Sequence, residues 1–285
     1  MRFILTACSI FLLPLLANAA PQKLISDSLV DRLPCNGLNE SNILQHLQPN
    51  AFSIDKHFPI ENWSSGGGLA ECWSLSHAQR ISFFLARFGQ ADLTDPRDLG
   101  TIADIFRGRG DFQVFPAHNV ISLYNSQVDF MDGFGHERRF QWDIQSYEDW
   151  RFYQPSNANL IFGERDRSQA ENLNSFQQIQ QDLSRGRMPL VILRGNLTTQ
   201  HAVLIKRGYP LNSEEWQFDV YDSNFPTLEH HIIYNQDAQE FTAQDIVAPF
   251  HIDSTSPIGL FIEDESDMDA IQSTLLAYYQ VRCQE

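Results

Sequence analysis

The sequence has few of the features that tie a protein to nucleic acid, to a membrane or to a metal ion. Lys and Arg number 20 against 36 Asp and Glu, for a formal net charge of −16 at pH 7. Such an acidic surface repels phosphate backbones and anionic lipid, so we expect no nucleic-acid partner and no binding to a membrane surface. Beyond the N-terminus, no stretch approaches the about 18 apolar residues of a spanning helix. No His or Cys pair has metal-site spacing, so we predict no membrane span, no metal and no cofactor.

The chain does have the apolar residues to build a core. Of its 285 residues 42% are hydrophobic, including 21 Phe and 5 Trp. Aromatic side chains in that number are not left solvated along a flexible chain, which excludes disorder as the general state. We expect a monomer with one main domain.

The first residues have the layout of a secretory signal peptide. Met1-Arg2 is followed by an apolar run over residues 3–16 and then by Ala17-Asn18-Ala19, an A-x-A cleavage pattern. We predict cleavage near Ala19 and a secreted or periplasmic protein. The predicted organisation is a signal peptide over residues 1–19, an N-terminal arm over 20–62 and the main domain over 63–285.

Loss of the signal peptide leaves three cysteines, Cys35, Cys72 and Cys283. Exported proteins tend to pair their cysteines, and an odd number leaves one thiol over. Cys35 and Cys283 lie near the two ends of the mature chain, and the termini of a domain are often close together. We therefore predict a Cys35–Cys283 disulfide and a free Cys72, with a buried structural thiol as the alternative role for Cys72.

The first half of the chain has helical periodicity. Apolar positions recur every three or four residues from Cys72 to Phe88, and Gly89 follows, which predicts an amphipathic helix with Cys72 in its first turn. Two further helices are expected near 97–107 and 116–126.

The second half is rich in branched and aromatic residues between turns. After a Gln-rich helix over 175–185, which Gly186 and Pro189 stop, the pattern predicts antiparallel strands. Their predicted bounds are 190–194, 201–207, 216–221, 230–234 and 258–262. A final helix is expected over 267–281, preceded by an acidic run over 263–269 that we interpret as a solvated turn and helix N-cap. Helices followed by an antiparallel sheet make the fold class α+β.

Three residues form a candidate catalytic set. A helix N-terminus directs free N–H groups and a positive dipole end at Cys72, which favours a thiolate. His201 opens an apolar strand, where a solvated side chain is not expected, and imidazole is the usual proton partner of a thiolate. Asp222 ends the following strand. If the two strands form a hairpin, the start of one lies opposite the end of the other, so Asp222 can orient His201. Asn224 is the alternative orienting residue.

This order of residues resembles the papain-fold cysteine peptidases. The resemblance rests on Cys72-Trp73 at a helix start, on His201-Ala202-Val203 later in the chain, and on Gly186-x-x-Pro189 before the His strand. The segment 221–226, Tyr-Asp-Ser-Asn-Phe-Pro, is similar to that of bacterial branches, notably the bacteriocin-processing-like and YopT-type effector peptidases. The resemblance implies a helical lobe carrying the Cys, packed on an antiparallel β lobe carrying the His and Asp, with a catalytic domain over 63–285.

The oxyanion hole departs from the family pattern. Papain relatives usually have a Gln six residues before the Cys, where this chain has Gly66. Asn62 and Ser65 are the candidate substitutes for that donor.

We therefore expect an exported thiol hydrolase, a peptidase with protein or peptide substrates, in which Cys72, His201 and Asp222 form the triad. One alternative keeps the triad but changes the reaction, to that of a transglutaminase, a deamidase or a cell-wall peptide amidase. Another is a non-catalytic papain-like binding module.

Overall fold

The computed structural model describes residues 33–51, 71–85, 87–89, 116–118, 167–196, 199–243, 246, 257–263 and 266–284. The predicted signal peptide and the predicted helix at 97–107 lie outside these residues. The elements in chain order are α1 (Ile43–Ala51), α2 (Glu71–Leu85), β1 (Arg87–Gly89), β2 (Pro116–His118), α3 (Gln169–Ser184), β3 (Leu190–Asn196), β4 (Thr199–Pro210), β5 (Glu215–Asp222), β6 (His230–Asn235), β7 (Glu240–Thr242), β8 (Gly259–Ile262) and α4 (Ser266–Arg282).

Six strands form one antiparallel sheet. Its spatial order is β7-β6-β5-β4-β3-β8, so β3 to β7 follow one another as a meander and β8 returns to the outer side of β3. Each of the five predicted strands is present, within three residues of its predicted ends. Helices together with an antiparallel sheet confirm the α+β class.

Helix α3 covers one face of this sheet. Ser168 caps its N-terminus in a capping box with Glu171, and Phe176 and Ile179 enter the core. Phe176 stacks on Tyr234, with ring centroids 4.2 Å apart. The sheet contributes mainly branched and aromatic side chains to this core, among them Val191, Leu193, Val203, Ile205, Phe218, Val220, Ile232 and Phe241.

Helix α2 differs from its prediction in two ways. It ends at Leu85, and Arg87–Gly89 form a short strand that pairs with Pro116–His118, where a helix was predicted. The prediction of an amphipathic helix is also wrong, since α2 is buried on all sides between Trp73 and Ile81. Its buried polar side chains therefore need partners inside the protein.

The described ends of the chain are joined by a disulfide between Cys35 and Cys283, as predicted. Tyr279 of α4 donates a hydrogen bond to the Pro34 carbonyl at 2.9 Å beside it. Helix α4 buries Met268, Ile271, Leu275 and Tyr279. The two ends of the described chain thus form one packed unit.

Gly186 follows α3 and lies against the backbone of α1. Its φ is +80°, a left-handed conformation that favours glycine, and a Cβ there would lie 2.5 Å from the backbone of Leu44 and Gln45. Gln45 also donates a hydrogen bond to the Ser184 carbonyl at 2.9 Å. Glycine at 186 therefore permits both the turn into β3 and the close approach of α1.

Candidate active site

Cys72 is the second residue of α2 and faces the start of β4. The Ala202 backbone N–H donates a hydrogen bond to its Sγ at 3.3 Å. The thiol is partly exposed and forms no disulfide. The sulfur therefore accepts a backbone N–H from β4 at the N-terminal end of its own helix.

His201 lies between a carboxylate and this thiol. Its Nε2 is 2.7 Å from Asp222 Oδ1. The Cys72 thiol is near enough to the imidazole to raise the His201 pKa, and Nδ1 is the ring nitrogen that does not face Asp222. His201 is 2% exposed and Asp222 fully buried, so bulk water does not weaken their attraction.

The electrostatics of this pair favour a charged imidazolium. Burial on its own lowers the pKa of His201, but the charge and hydrogen bond of Asp222, together with those of Cys72, raise that pKa well above its usual value. Burial raises the pKa of Asp222, yet the charge and hydrogen bond of His201 and the Asn224 N–H hold it below its usual value. The charged forms of Asp222 and His201 therefore stabilise each other.

Asp222 is itself fixed by the turn that follows it. The Asn224 backbone N–H donates a hydrogen bond to Asp222 Oδ1 at 2.8 Å. The structure thus places Asp222 against His201, whereas Asn224 contacts Asp222 through its main chain. Asn62 and Ser65, the predicted oxyanion substitutes, lie outside the described residues.

A buried carboxylate directly after β8 fixes α2 against the sheet. Glu263 accepts a hydrogen bond from the Trp73 indole N–H at 2.8 Å and pairs with Arg80 at 3.1 Å. Glu263 is 5% exposed, so its assignment to a solvated acidic turn is wrong. Trp73 also stacks on His77, with a centroid separation of 5.3 Å. These contacts set the rotation of α2 one residue after Cys72.

Sequence reasoning did not identify Glu263, nor Ser76, whose hydroxyl donates to the Ala202 carbonyl at 3.2 Å. Ser76 follows Cys72 by four residues, so helical spacing alone could have placed both on one face. For Glu263 the sequence offers no such signal, because its partners are more than 180 residues away.

A second His–Asp pair lies elsewhere on the sheet. His231 Nδ1 is 2.8 Å from Asp219 Oδ1, and Arg207, Gln217 and Tyr209 also bind this buried carboxylate. No cysteine is among these partners. The pair therefore resembles the His201–Asp222 pair in its polar contacts but has no thiol to activate.

Within the described ranges, no group of three or more His, Cys, Asp or Glu side chains could hold a metal ion. None of the helices described is both long and apolar enough to cross a bilayer. Comparisons of the chain with protein-family models, with curated proteins and with solved structures found no match.

Proposed function

We propose that this protein is an exported thiol hydrolase that cleaves peptide bonds, with Cys72 as nucleophile, His201 as general acid and base, and Asp222 as the residue that orients His201. The observation that carries the proposal is the Asp222 carboxylate at 2.7 Å from His201 Nε2, together with the Cys72 thiol held at 3.3 Å by the N–H of the next residue, Ala202. A thiol beside a histidine that a carboxylate orients is the arrangement that covalent acyl transfer uses.

The reaction follows from these contacts. Cys72 transfers its proton to His201 Nδ1, and the thiolate attacks the carbonyl carbon of the peptide bond. The carbonyl oxygen becomes an oxyanion, which backbone N–H groups at the N-terminus of α2 can stabilise. The imidazolium then protonates the leaving amine, which departs and leaves an acyl group on Sγ.

Hydrolysis of the acyl-enzyme uses the same residues in reverse. His201 accepts a proton from water, and the resulting hydroxide attacks the thioester carbonyl. The C–S bond then breaks and releases the carboxylic acid, and the imidazolium returns a proton to the Cys72 sulfur. Asp222 remains ionised throughout, because its pKa is held low. Its carboxylate accepts the hydrogen bond from Nε2 and so stabilises the imidazolium that forms twice in each cycle.

Export and a papain-like arrangement of the two halves are part of this proposal. The Cys35–Cys283 disulfide supports an oxidising compartment. The helix-borne thiol that meets a strand-borne histidine supports the papain-like architecture.

The test is cleavage of a complex peptide mixture, with new N-termini identified by mass spectrometry. We expect cleavage by the native protein, and none by Cys72→Ala or His201→Gln. His231→Gln is the matched control, since it removes a histidine from a comparable carboxylate pair without a thiol, and it should cleave as the native protein does.

Each other outcome identifies an alternative. If the native protein instead deamidates glutamine or joins it to an added amine in a Cys72-dependent way, the triad acts in a transglutaminase or deamidase. If it modifies no peptide while folded, the hydrolase proposal is wrong.

A further inference from the structure

Strand β5 does not cover the first four residues of β4, Thr199 to Ala202. The β4–β5 register begins with Val203 opposite Asp222, and the chain turns at Ser223. Ala202, the next residue outward on β4, therefore has no counterpart on β5. In an antiparallel sheet the N–H and C=O of one residue point to the same neighbour, so both main-chain groups of Ala202 are available on that side.

Two side chains of α2 take the place of the missing strand residue. Ala202 donates its N–H to Cys72 Sγ at 3.3 Å, and its carbonyl accepts a hydrogen bond from Ser76 Oγ at 3.2 Å. Cys72 and Ser76 are four residues apart, so they project from the same face of the helix. Ser76 is fully buried, and a buried carbonyl without a donor is costly.

We propose that Ser76 is a positioning residue of the candidate site, which holds the Ala202 main chain so that its N–H stays on the Cys72 sulfur and His201 stays within reach of the thiol. The predicted effect of Ser76 on catalysis rests on the proposed function, whereas its predicted effect on the Cys72 thiol does not. Ser76 touches no reacting atom. It acts through Ala202, which is bonded directly to His201.

Loss of the Ser76 hydroxyl should change the pH dependence of Cys72 alkylation in one direction. Without the Ser76 hydroxyl, the Ala202 carbonyl loses its donor, and the strand start moves to find another partner. The N–H then no longer holds the sulfur, and the thiolate is less favoured. Alkylation by iodoacetamide requires the thiolate, so the midpoint of its pH dependence reports this loss directly.

The experiment measures the rate of Cys72 alkylation from pH 4 to pH 10 together with kcat and KM for peptide cleavage. Ser76→Ala removes the hydroxyl. Ser175→Ala is the matched control, since Ser175 is a buried helical serine of α3, whereas Cys72 and Ser76 belong to α2. Ser76→Thr and Ser76→Val form a second comparison at equal side-chain volume, in which only Thr keeps the hydroxyl. This pair decides the question if Ser76→Ala does not fold.

For Ser76→Ala we expect the midpoint of alkylation to move to higher pH, and kcat to fall about fivefold to tenfold with KM unchanged. Ser76→Thr should resemble the native protein and Ser76→Val should resemble Ser76→Ala. The inference is overturned if Ser76→Ala matches Ser175→Ala in midpoint and kcat, or if Thr and Val behave alike. If the native protein alkylates but cleaves no peptide, the proposed function fails, while the alkylation midpoints still decide the role of Ser76.

Discussion

Replacing Asp222 by Asn tests the orienting carboxylate with little change in shape. The amide keeps an oxygen that can accept the Asn224 N–H and the His201 Nε2–H, but it carries no charge. Two unit charges 2.7 Å apart attract by about 6 kcal/mol at an effective dielectric constant of about 20. Charge-assisted hydrogen bonds are roughly twice as strong as neutral ones, so about half of that attraction, about 3 kcal/mol, disappears.

A loss of about 3 kcal/mol in the stabilisation of the imidazolium corresponds to a fall in kcat of roughly 150-fold. The assay is steady-state peptide cleavage at pH 7, with folding followed by circular dichroism. Asp219→Asn is the matched control, because Asp219 is an equally buried carboxylate bound to a histidine at 2.8 Å. It should lose stability but keep its kcat.

Asn224→Ala completes the comparison. Its backbone N–H on Asp222 survives the substitution, so its kcat should change far less than that of Asp222→Asn. The reasoning is refuted if Asp222→Asn stays within about threefold of native kcat, or if Asp219→Asn falls as far. A larger loss in Asn224→Ala than in Asp222→Asn would give the orienting role to Asn224.

Three further predictions concern stability. In chemical denaturation Gly186→Ala should lower the free energy of unfolding by at least about 2 kcal/mol, because its Cβ meets the α1 backbone. Gly37→Ala should lower it by only about 1 kcal/mol, since Gly37 shares the positive φ but has open space around it. Equal losses would contradict the close approach. Reduction of the Cys35–Cys283 disulfide, whose cysteines are 248 residues apart, should lower the free energy of unfolding by about 5 kcal/mol in the chain-entropy model, and an unchanged melting temperature with reductant would contradict this. The folded-state pKa of His201 is raised, so its contribution is complete below the unfolded-state pKa of about 6.5 and is lost as pH rises through the folded-state pKa. The stability difference between native protein and His201→Gln should therefore shrink from about pH 6 upward. A difference that grows with pH would contradict this prediction.

The strands of the second half could be predicted from the sequence because their residues favour the β conformation. Runs such as 190–194 and 201–207 combine branched side chains with flanking Gly, Pro and Asn, and no helical period competes with them. The strand ends then place His201 near Asp222 by antiparallel geometry alone. The central pair of the site was thus predictable without knowledge of the core.

The errors arise where tertiary contacts override the local pattern. The apolar period that starts at Cys72 continues through Phe88, yet the helix ends at Leu85 because the next residues pair with Pro116–His118. The polar residues of α2 suggest an exposed face, but Glu263 and Ala202 supply partners from distant parts of the chain. Such partners are set by the packing of α2 on the sheet, which local periodicity does not encode.

The central claim is that Cys72 is a nucleophile activated by His201, and covalent trapping tests it most directly. The folded protein is incubated at neutral pH with an epoxysuccinyl peptide inhibitor, and the modified residue is mapped by mass spectrometry. We predict one adduct per chain, on Cys72, formed quickly by the native protein and by His231→Gln, and slowly by His201→Gln. A folded native protein whose Cys72 resists the inhibitor would contradict the account and favour a non-catalytic binding module.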